Sequence, residues 1–403
     1  MTAAASLATA QVSLGDPEVR YPLWPALTAG CPVTSTPELA YPVEVDYDYP
    51  AVPAALFAQP PGPGLDRWAP LLPPLDAPTL GEGGTPLLAL PDGTLVKDES
   101  RNPTWSHKDR LNRVTVSAAV HQGAPGIVVA SSGNHGASAA AYAARAGLRC
   151  VVLASASSPP AVQSFLNAYG ALVLPVPVEA RWPLLRQIAE RTGFHPVSNH
   201  TRTHTGHGFG AEGYKTVAYE LHAELGTPAA VFVPTGYGEL LYGVWKGFAE
   251  LQRLGLAARV PRVFGCEPAA GGPLAAAVRT GVPAAVVEVG PTEAYAIDVT
   301  NGGHRGVRAV TASGGGALLL TDREVRAAHG ELAAQGLWCE FSSAIGLAGL
   351  RQLGGPAAFD GPVVCVSTSS GFKDLRVGTE RAEALDPEWE AVAGRLKAAG
   401  IEA

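Results

Sequence analysis

The sequence predicts an α/β protein of two lobes, each a parallel-type sheet flanked by helices. From Leu87 to Gly371 short apolar runs alternate with helical patterns, and alternation of that kind builds parallel sheets with helical crossovers. Cys150 and Cys365 sit in runs, RCVVL and VVCVS, that read as buried strands. The chain has 403 residues and is 47% hydrophobic, which suits two domains, or one large α/β unit with an inserted lobe, around a sizeable core.

Residues 1 to about 75 are rich in Pro and turn residues and show little sustained periodicity, with a short strand expected in YPVEVDYDYPAV. LLALPDGTLVKDES reads as a hairpin turning at Asp92-Gly93. HKDRLNRVTVSAAVHQGA is a helix closed at Gly123, GIVVAS a strand, and HGASAAAYAARAG an Ala-rich helix closed by Gly147. LRCVVLAS and ALVLPVPV are strands; PAVQSFLNAYGA and RWPLLRQIAERTG are helices. NHTRTHTGHGFGAEG, residues 199–213, breaks the rhythm. Beyond it GYKTVAYELHAELG, ELLYGVWKGFAELQRLG and SSAIGLAGLRQLG are helices, and AAVFVPTG, RVFGCEP, ALLLT and PVVCVSTSSG hold strands. The tail from Glu380 is charged and helical.

Composition narrows the function. The net charge of −7, without a long Lys/Arg run, disfavours a nucleic-acid partner. The five cysteines are dispersed and odd in number, which argues against a disulfide framework or zinc site and fits a reducing cytoplasm. The N-terminus lacks a basic start followed by a continuous apolar core, so no signal peptide is expected. No stretch of about 20 apolar residues exists, so no membrane span is expected either.

Five loops beside predicted strand ends or helix starts come in order: TLGEGGTPL, DESRNPTWSHKDR, SSGNHG, PTGYGELLYG and STSSGFKDL. Open α/β sheets bind ligands at the carboxyl ends of their strands, so the loops are expected to converge on one crevice. SSGNHG opens a helix, where free N–H groups and the helix dipole favour an anion; its small residues let the backbone approach closely. The glycines of PTGYGELLYG suit a phosphate cradle. An acidic residue there is unfavourable if it points inward, so Glu239 is expected to point outward. His200, His204 and His207 lie in a Thr- and Gly-rich stretch that argues against the helix needed to align them, and no metal site is expected.

Together the five motifs resemble the fold-type II pyridoxal-phosphate enzymes of the threonine synthase group, relatives of the tryptophan synthase β chain. That family's versions read roughly LGEGxTPL, KxExxNPTGSFKDR, SSGNxG, GxGGN and TGxGxKD. The match runs from residue 79 to about 375. The resemblance implies a two-domain fold with pyridoxal 5'-phosphate in the cleft. It makes Lys108 the Schiff-base lysine and proton carrier, since a buried amine of depressed pKa performs both tasks. It places Ser131, Ser132, Gly133, Asn134 and His135 on the substrate carboxylate side, with the Asn134 amide on the cofactor's phenolic oxygen. Gly236, Tyr237, Gly238, Glu239 and Leu240 would hold the phosphate, although Tyr237 and Glu239 replace small or neutral residues. Thr368 would meet the pyridine nitrogen, with Ser369 and Ser370 as neighbouring alternatives; a neutral hydroxyl suits elimination and replacement more than transamination. Arg202 is the candidate for a distal substrate anion. Cys31-Pro32-Val33-Thr34 keeps the first cysteine of a CxxC pair that some relatives carry.

The expected layout is an N-terminal extension (1–75), a large cofactor domain (76–112 with 215–385), a small domain (113–214) and a helical tail (386–403). The expected activity is that of a lyase or synthase working at Cβ or Cγ of a small amino acid, as threonine synthase works on O-phosphohomoserine. An ammonia-lyase acting on threonine, serine or 2,3-diaminopropionate is the alternative within enzymes. A silent cofactor-binding protein would have lost the lysine or the asparagine loop. A cytoplasmic homodimer is expected.

Overall fold

The computed structural model describes residues 5–58, 62–156, 158–374 and 384–402. The chain opens with β1 (Ala8–Ser13), β2 (Arg20–Pro22) and β3 (Val43–Tyr47), an antiparallel sheet in the order β2-β1-β3. Of these the sequence signalled β3 alone. Buried Gln11 holds the Pro-rich connection: its Nε2 donates to the Pro22, Leu23 and Pro25 carbonyls, and its Oε1 accepts from Leu27 N at 2.8 Å. The sheet is therefore specified by one buried amide and by docking, which periodicity does not report.

The hairpin follows as β4 (Leu87–Ala89) and β5 (Leu95–Asp98), with Gly93 at φ +85°. Then come α1 (Lys108–His121), β6 (Gly126–Ala130), α2 (Asn134–Arg145), β7 (Arg149–Ala154), α3 (Pro160–Ala168), β8 (Leu172–Pro175), α4 (Arg181–Thr192) and β9 (His195–Pro196). Strands β6 to β9 form a parallel sheet in the order β8-β7-β6-β9. One face packs an apolar cluster under α1, α2 and α3; the other packs Leu185 of α4.

After the 199–209 segment come α5 (Gly210–Leu225), β10 (Ala230–Pro234), α6 (Glu239–Arg253), β11 (Arg262–Pro268), α7 (Pro273–Thr280), α8 (His304–Ser313), β12 (Gly316–Leu320), α9 (Asp322–Ala334), α10 (Ile345–Gln352) and β13 (Val363–Ser367). With the hairpin these strands form a six-stranded sheet in the order β12-β11-β10-β13-β5-β4, parallel except at its β4 edge. All five residues of β10 and of β13 are buried, as strands covered on both faces must be. Helices α5, α6 and α8 cover one face and α9 and α10 the other. A final helix, α11, spans Trp389–Ala398; the start of the charged tail at Glu380 lies outside the described residues. No helix among the described residues is long and apolar enough to cross a membrane.

The N-terminal sheet docks on α5 and α6 through a buried polar cluster. Lys246 Nζ donates to the Val45 carbonyl at 2.7 Å and to Glu212, and Tyr47 OH donates to Glu212 at 2.9 Å. Tyr49 OH reaches Glu250 at 3.0 Å, and Glu250 also takes Lys215. Removing one partner would leave an uncompensated buried charge, which costs about 3–5 kcal/mol.

Candidate active site

The loop that ends in Lys108 is clamped at both ends. Arg110, fully buried, pairs through Nε with Glu99 at 2.7 Å and through Nη1 with Glu220 of α5 at 2.6 Å. Asp109 accepts from Thr104 N at 2.7 Å, Thr104 Oγ1 at 2.6 Å and Ser138 Oγ of α2 at 2.5 Å. Between these anchors Trp105 adopts φ +63°, the one non-glycine positive φ among the described residues, where the family motif carries Gly. Such backbone costs on the order of 1–3 kcal/mol and persists only where its surroundings impose it. Here the Trp105 carbonyl accepts from Ser370 N and Ser369 Oγ, both at 3.1 Å, and its ring packs against Phe165 and Phe372.

Lys108 is thereby delivered to the first position of α1. Its Nζ lies 3.2 Å from the Tyr214 hydroxyl, and burial holds the amine below its usual pKa against the opposing pull of Glu239 and Glu340. His107 stacks on Tyr214 at 5.5 Å, and its backbone N–H donates to the Thr368 carbonyl at 2.9 Å, tying the lysine loop to the end of β13. Burial, then the Lys108 charge, keeps His107 neutral.

From the smaller sheet, β6 delivers SSGNHG to the same place. Asn134 Nδ2 donates to Glu340 at 3.0 and 3.3 Å, while its Oδ1 accepts from Ser369 Oγ at 3.2 Å. No side chain caps α2, so its leading N–H groups stay free for an anion. Ser132 Oγ accepts from Ser155 N at 2.6 Å and from Arg181 at 3.2 Å, which holds the loop open. Gly136 is required: a Cβ there would stand 2.8 Å from the Ser131 carbonyl oxygen. His135 Nε2 is buried without a partner; burial, then Lys108, lowers its pKa to about 3, so the ring is neutral.

At the end of β13 the Thr368 hydroxyl shares a 2.8 Å hydrogen bond with Ser343 Oγ, and no carboxylate joins it. Ser369 faces Asn134 instead, and Ser370 caps the turn that follows.

The 234–240 loop follows β10. Gly238 stands at φ +85° with the Gly306 Cα 2.9 Å from where its Cβ would be, and no side chain caps α6. Leu240 turns its side chain into the core, leaving only its backbone to the loop. Tyr237 stacks on His204 at 4.1 Å and 11°. Glu239 contradicts its expected outward orientation: its side chain is 11% exposed and Oε1 is buried without a partner. The reason is the 199–209 segment, which folds over the start of α6; residues 210–213, expected to belong to the same loop, instead open α5. A Cβ on Gly206 would sit 2.0 Å from Glu239 Oε1, so glycine there makes the room.

Arg202 is not brought to Lys108. It is exposed and lines a cavity of about 1250 Å³ with Arg181, Arg186, His200, Trp182 and Tyr237. Sequence reasoning missed Tyr214, Ser343, Glu340 and Lys373. Glu340, pushed up to about 7 by burial, accepts from Asn134 and from Tyr295 OH at 3.1 Å. Lys373 Nζ is buried without a hydrogen-bond partner among the described residues, and burial lowers its pKa to about 8. Tyr214, in GYKT, and Glu340, in CEFSS, carry no local signal that separates them from core and surface residues.

These features suit a cofactor that carries an aldehyde, a phenolic oxygen, a pyridine ring and a phosphate. A buried amine of lowered pKa, an amide, a lone hydroxyl and an uncapped glycine-bounded helix start meet in one cleft, and polar atoms of His135, Glu239 and Lys373 lie buried there unspent.

A profile of the family described as pyridoxal-phosphate dependent enzyme matches residues 78–369. The chain is 31% identical over 362 residues to a threonine synthase of Methanosarcina acetivorans, covering 83% of this chain and 88% of that one. It is 35% identical over 314 residues to a threonine synthase of Halalkalibacterium halodurans, covering 73% and 84%. Among solved structures, maize serine racemase superposes with a TM-score of 0.62 at 19% identity, over 78% of this chain and 93% of that one. A fungal L-serine ammonia-lyase from Rhizomucor miehei gives 0.61 at 20%, over 72% and 94%. At such identities the superpositions establish the two-domain fold-type II architecture alone.

Proposed function

The chain belongs to the pyridoxal-phosphate-dependent enzyme family and is a lyase of that family; from this premise we propose that it catalyses elimination or replacement at Cβ or Cγ of a small amino acid, with O-phosphohomoserine as the first substrate to test. The observation that carries the reading is the meeting of Lys108, backed by Tyr214, with Asn134, held between Glu340 and Ser369. Bound pyridoxal phosphate supplies an aldehyde that condenses with amines and a ring that accepts electrons from the substrate Cα.

In this reading Lys108 anchors the cofactor and moves the Cα proton. Burial lowers its pKa, which favours the neutral amine, and Tyr214 OH fixes its direction. The α2 N-terminus binds the substrate carboxylate through Ser131, Ser132, Gly133, Asn134 and His135, with neutral His135 adding no competing charge. Asn134 orients the ring through its phenolic oxygen. Thr368 offers the pyridine nitrogen a hydroxyl, which does not enforce a protonated ring. Gly236, Tyr237, Gly238, Glu239 and Leu240 hold the phosphate at the start of α6.

One observation favours a second reading. Apart from the Glu239 carboxyl of the phosphate loop, the acidic group acting on Lys108 is Glu340, while Arg202 is exposed. That surrounding suits a neutral or cationic leaving end, as in threonine, serine or 2,3-diaminopropionate, and an ammonia-lyase reaction. Purified protein should be assayed against O-phosphohomoserine, O-phosphoserine, threonine, serine and 2,3-diaminopropionate, following phosphate, ammonia and 2-oxoacid. Phosphate release with threonine formation supports the first reading, and ammonia with 2-oxoacid supports the second. No turnover of any of them rejects both.

A further inference from the structure

A departure of this chain from its family motifs, Glu239, lies against the segment that breaks the strand–helix rhythm. Glu239 opens α6 in the loop read as the phosphate cradle, and the 199–209 segment with the start of α5 covers it. Gly206, at φ +61°, makes room for the carboxyl group; a Cβ on Gly210 would also come within 3.6 Å of Oε1.

The surroundings do not neutralise a carboxylate. Arg305 Nη1 is 3.9 Å from Oε1, beyond hydrogen-bond reach, and its two terminal nitrogens each donate to a backbone carbonyl, those of Thr205 and Val43. Its Nε is buried with no partner. His204 Nε2 is 3.8 Å from Oε2, and burial and then Arg305 keep that ring neutral. The remaining titratable groups that act on this carboxyl or are acted on by it are Lys108 of α1, Tyr214 of α5 and Tyr237 of the same loop, both phenols being raised by burial. Burial outweighs Arg305 and Lys108 and raises the Glu239 carboxyl above its ordinary value. An uncapped helix start favours one anion, and a second charged beside it is repelled.

We propose that Glu239 is the neutral, proton-donating member of the cradle for the cofactor's phosphate, with Arg305 as the positive charge behind it. The inference rests on the reading of residues 236–240 as that cradle. A neutral carboxyl offers the phosphate an O–H donor where the ionised form would offer only repulsion. The phosphate dianion and the Glu239 proton are then linked: raising the pH removes the donor and introduces a like charge, so affinity for the phosphorylated cofactor falls.

The test is the ratio of dissociation constants of apoprotein for pyridoxal and pyridoxal phosphate, read by visible absorbance from pH 6 to 9. Taking the ratio cancels the titration of Lys108, which both ligands share. Comparison with Glu239→Gln, whose amide donates at every pH, cancels the titration of the phosphate itself. The expected result is that the preference of the wild type for pyridoxal phosphate falls at least tenfold relative to Glu239→Gln across this range. Parallel profiles for the two proteins would overturn the proposal, as would a Gln variant that binds the phosphorylated form more tightly at every pH. Glu239→Lys separates the two levels of inference. If it raises the preference at all pH values while the other profiles stay parallel, the cradle stands and only the proton assignment falls. If it too leaves the ratio unchanged, the phosphate is held elsewhere. Pyridoxal binding in each variant reports that the fold survives.

Discussion

The two ends of the cleft are built differently. Around Lys108 most polar groups are paired, His135 Nε2 and Lys373 Nζ excepted: Tyr214 meets the amine, Asn134 bonds on both sides, Thr368 has Ser343, and Asp109 takes three donors. Around Glu239 they are not, since Glu239 Oε1 and Arg305 Nε are buried without partners among the described residues, the neutral His204 ring stands at 3.8 Å and the Arg305 guanidinium at 3.9 Å. The first end keeps the motif's lysine and asparagine, although Trp105 and His107 replace the motif's Gly and Phe; the second carries a Tyr and a Glu under a covering segment. The contrast indicates that the reacting atoms constrain side chains within a few tenths of an ångström, whereas an anion at a helix start is held largely by backbone and tolerates rebuilding.

The contrast can be broken by mutation. Lys108→Ala should show the largest effect: turnover should fall roughly 10²–10⁴-fold or more, the usual worth of a positioned proton carrier. The visible band of bound cofactor should shift or vanish. Unchanged absorbance and turnover would remove Lys108 from the centre of the site.

Glu340→Gln should cost about ten- to a hundredfold in kcat, as expected for one charge-assisted hydrogen bond at about 1.5–3 kcal/mol. Glu340 passes from acid to carboxylate near pH 7, and the carboxylate is the better acceptor for Asn134. Wild-type activity should therefore fall as pH drops through about 7, and the Gln variant should lose that limb. An identical pH profile would make Glu340 purely structural. The pH-dependent cofactor preference of the wild type, measured against Glu239→Gln, probes the opposite end, and there the fold should be indifferent.

Arg202→Ala should have the smallest effect, within about fivefold on kcat/KM, because an exposed cation contributes about 0.2–1 kcal/mol. A loss above a hundredfold confined to phosphorylated substrates would show that the 199–213 loop closes over the substrate, and would bring Arg202 into the paired end.

Much of the scaffold was legible because it is local. Strand–helix alternation, the Asp92-Gly93 turn and helix-closing glycines at 123 and 147 are properties of a few consecutive residues, and they delivered the two parallel sheets and the order of the loops. A further local signal went unused: Thr321 and Glu324 form a capping box that starts α9. Helices α7 and α8 and strands β1 and β2 had weaker cues, being short and flanked by Pro and Gly.

Lys108, Asn134 and Thr368 could be named from the sequence because each stands in a motif whose spacing is kept, and a resemblance transfers spacing. What the sequence could not supply was adjacency. Asn134 and Glu340 are 206 residues apart, Lys108 and Tyr214 106 apart, and each pair meets only because both sheets direct their carboxyl ends at one cleft. The direction of Glu239 was decided in the same way. Its own helix start offered solvent or core equally, and the choice fell to Gly206 in a segment more than thirty residues upstream, whose missing side chain leaves the space the carboxyl group fills.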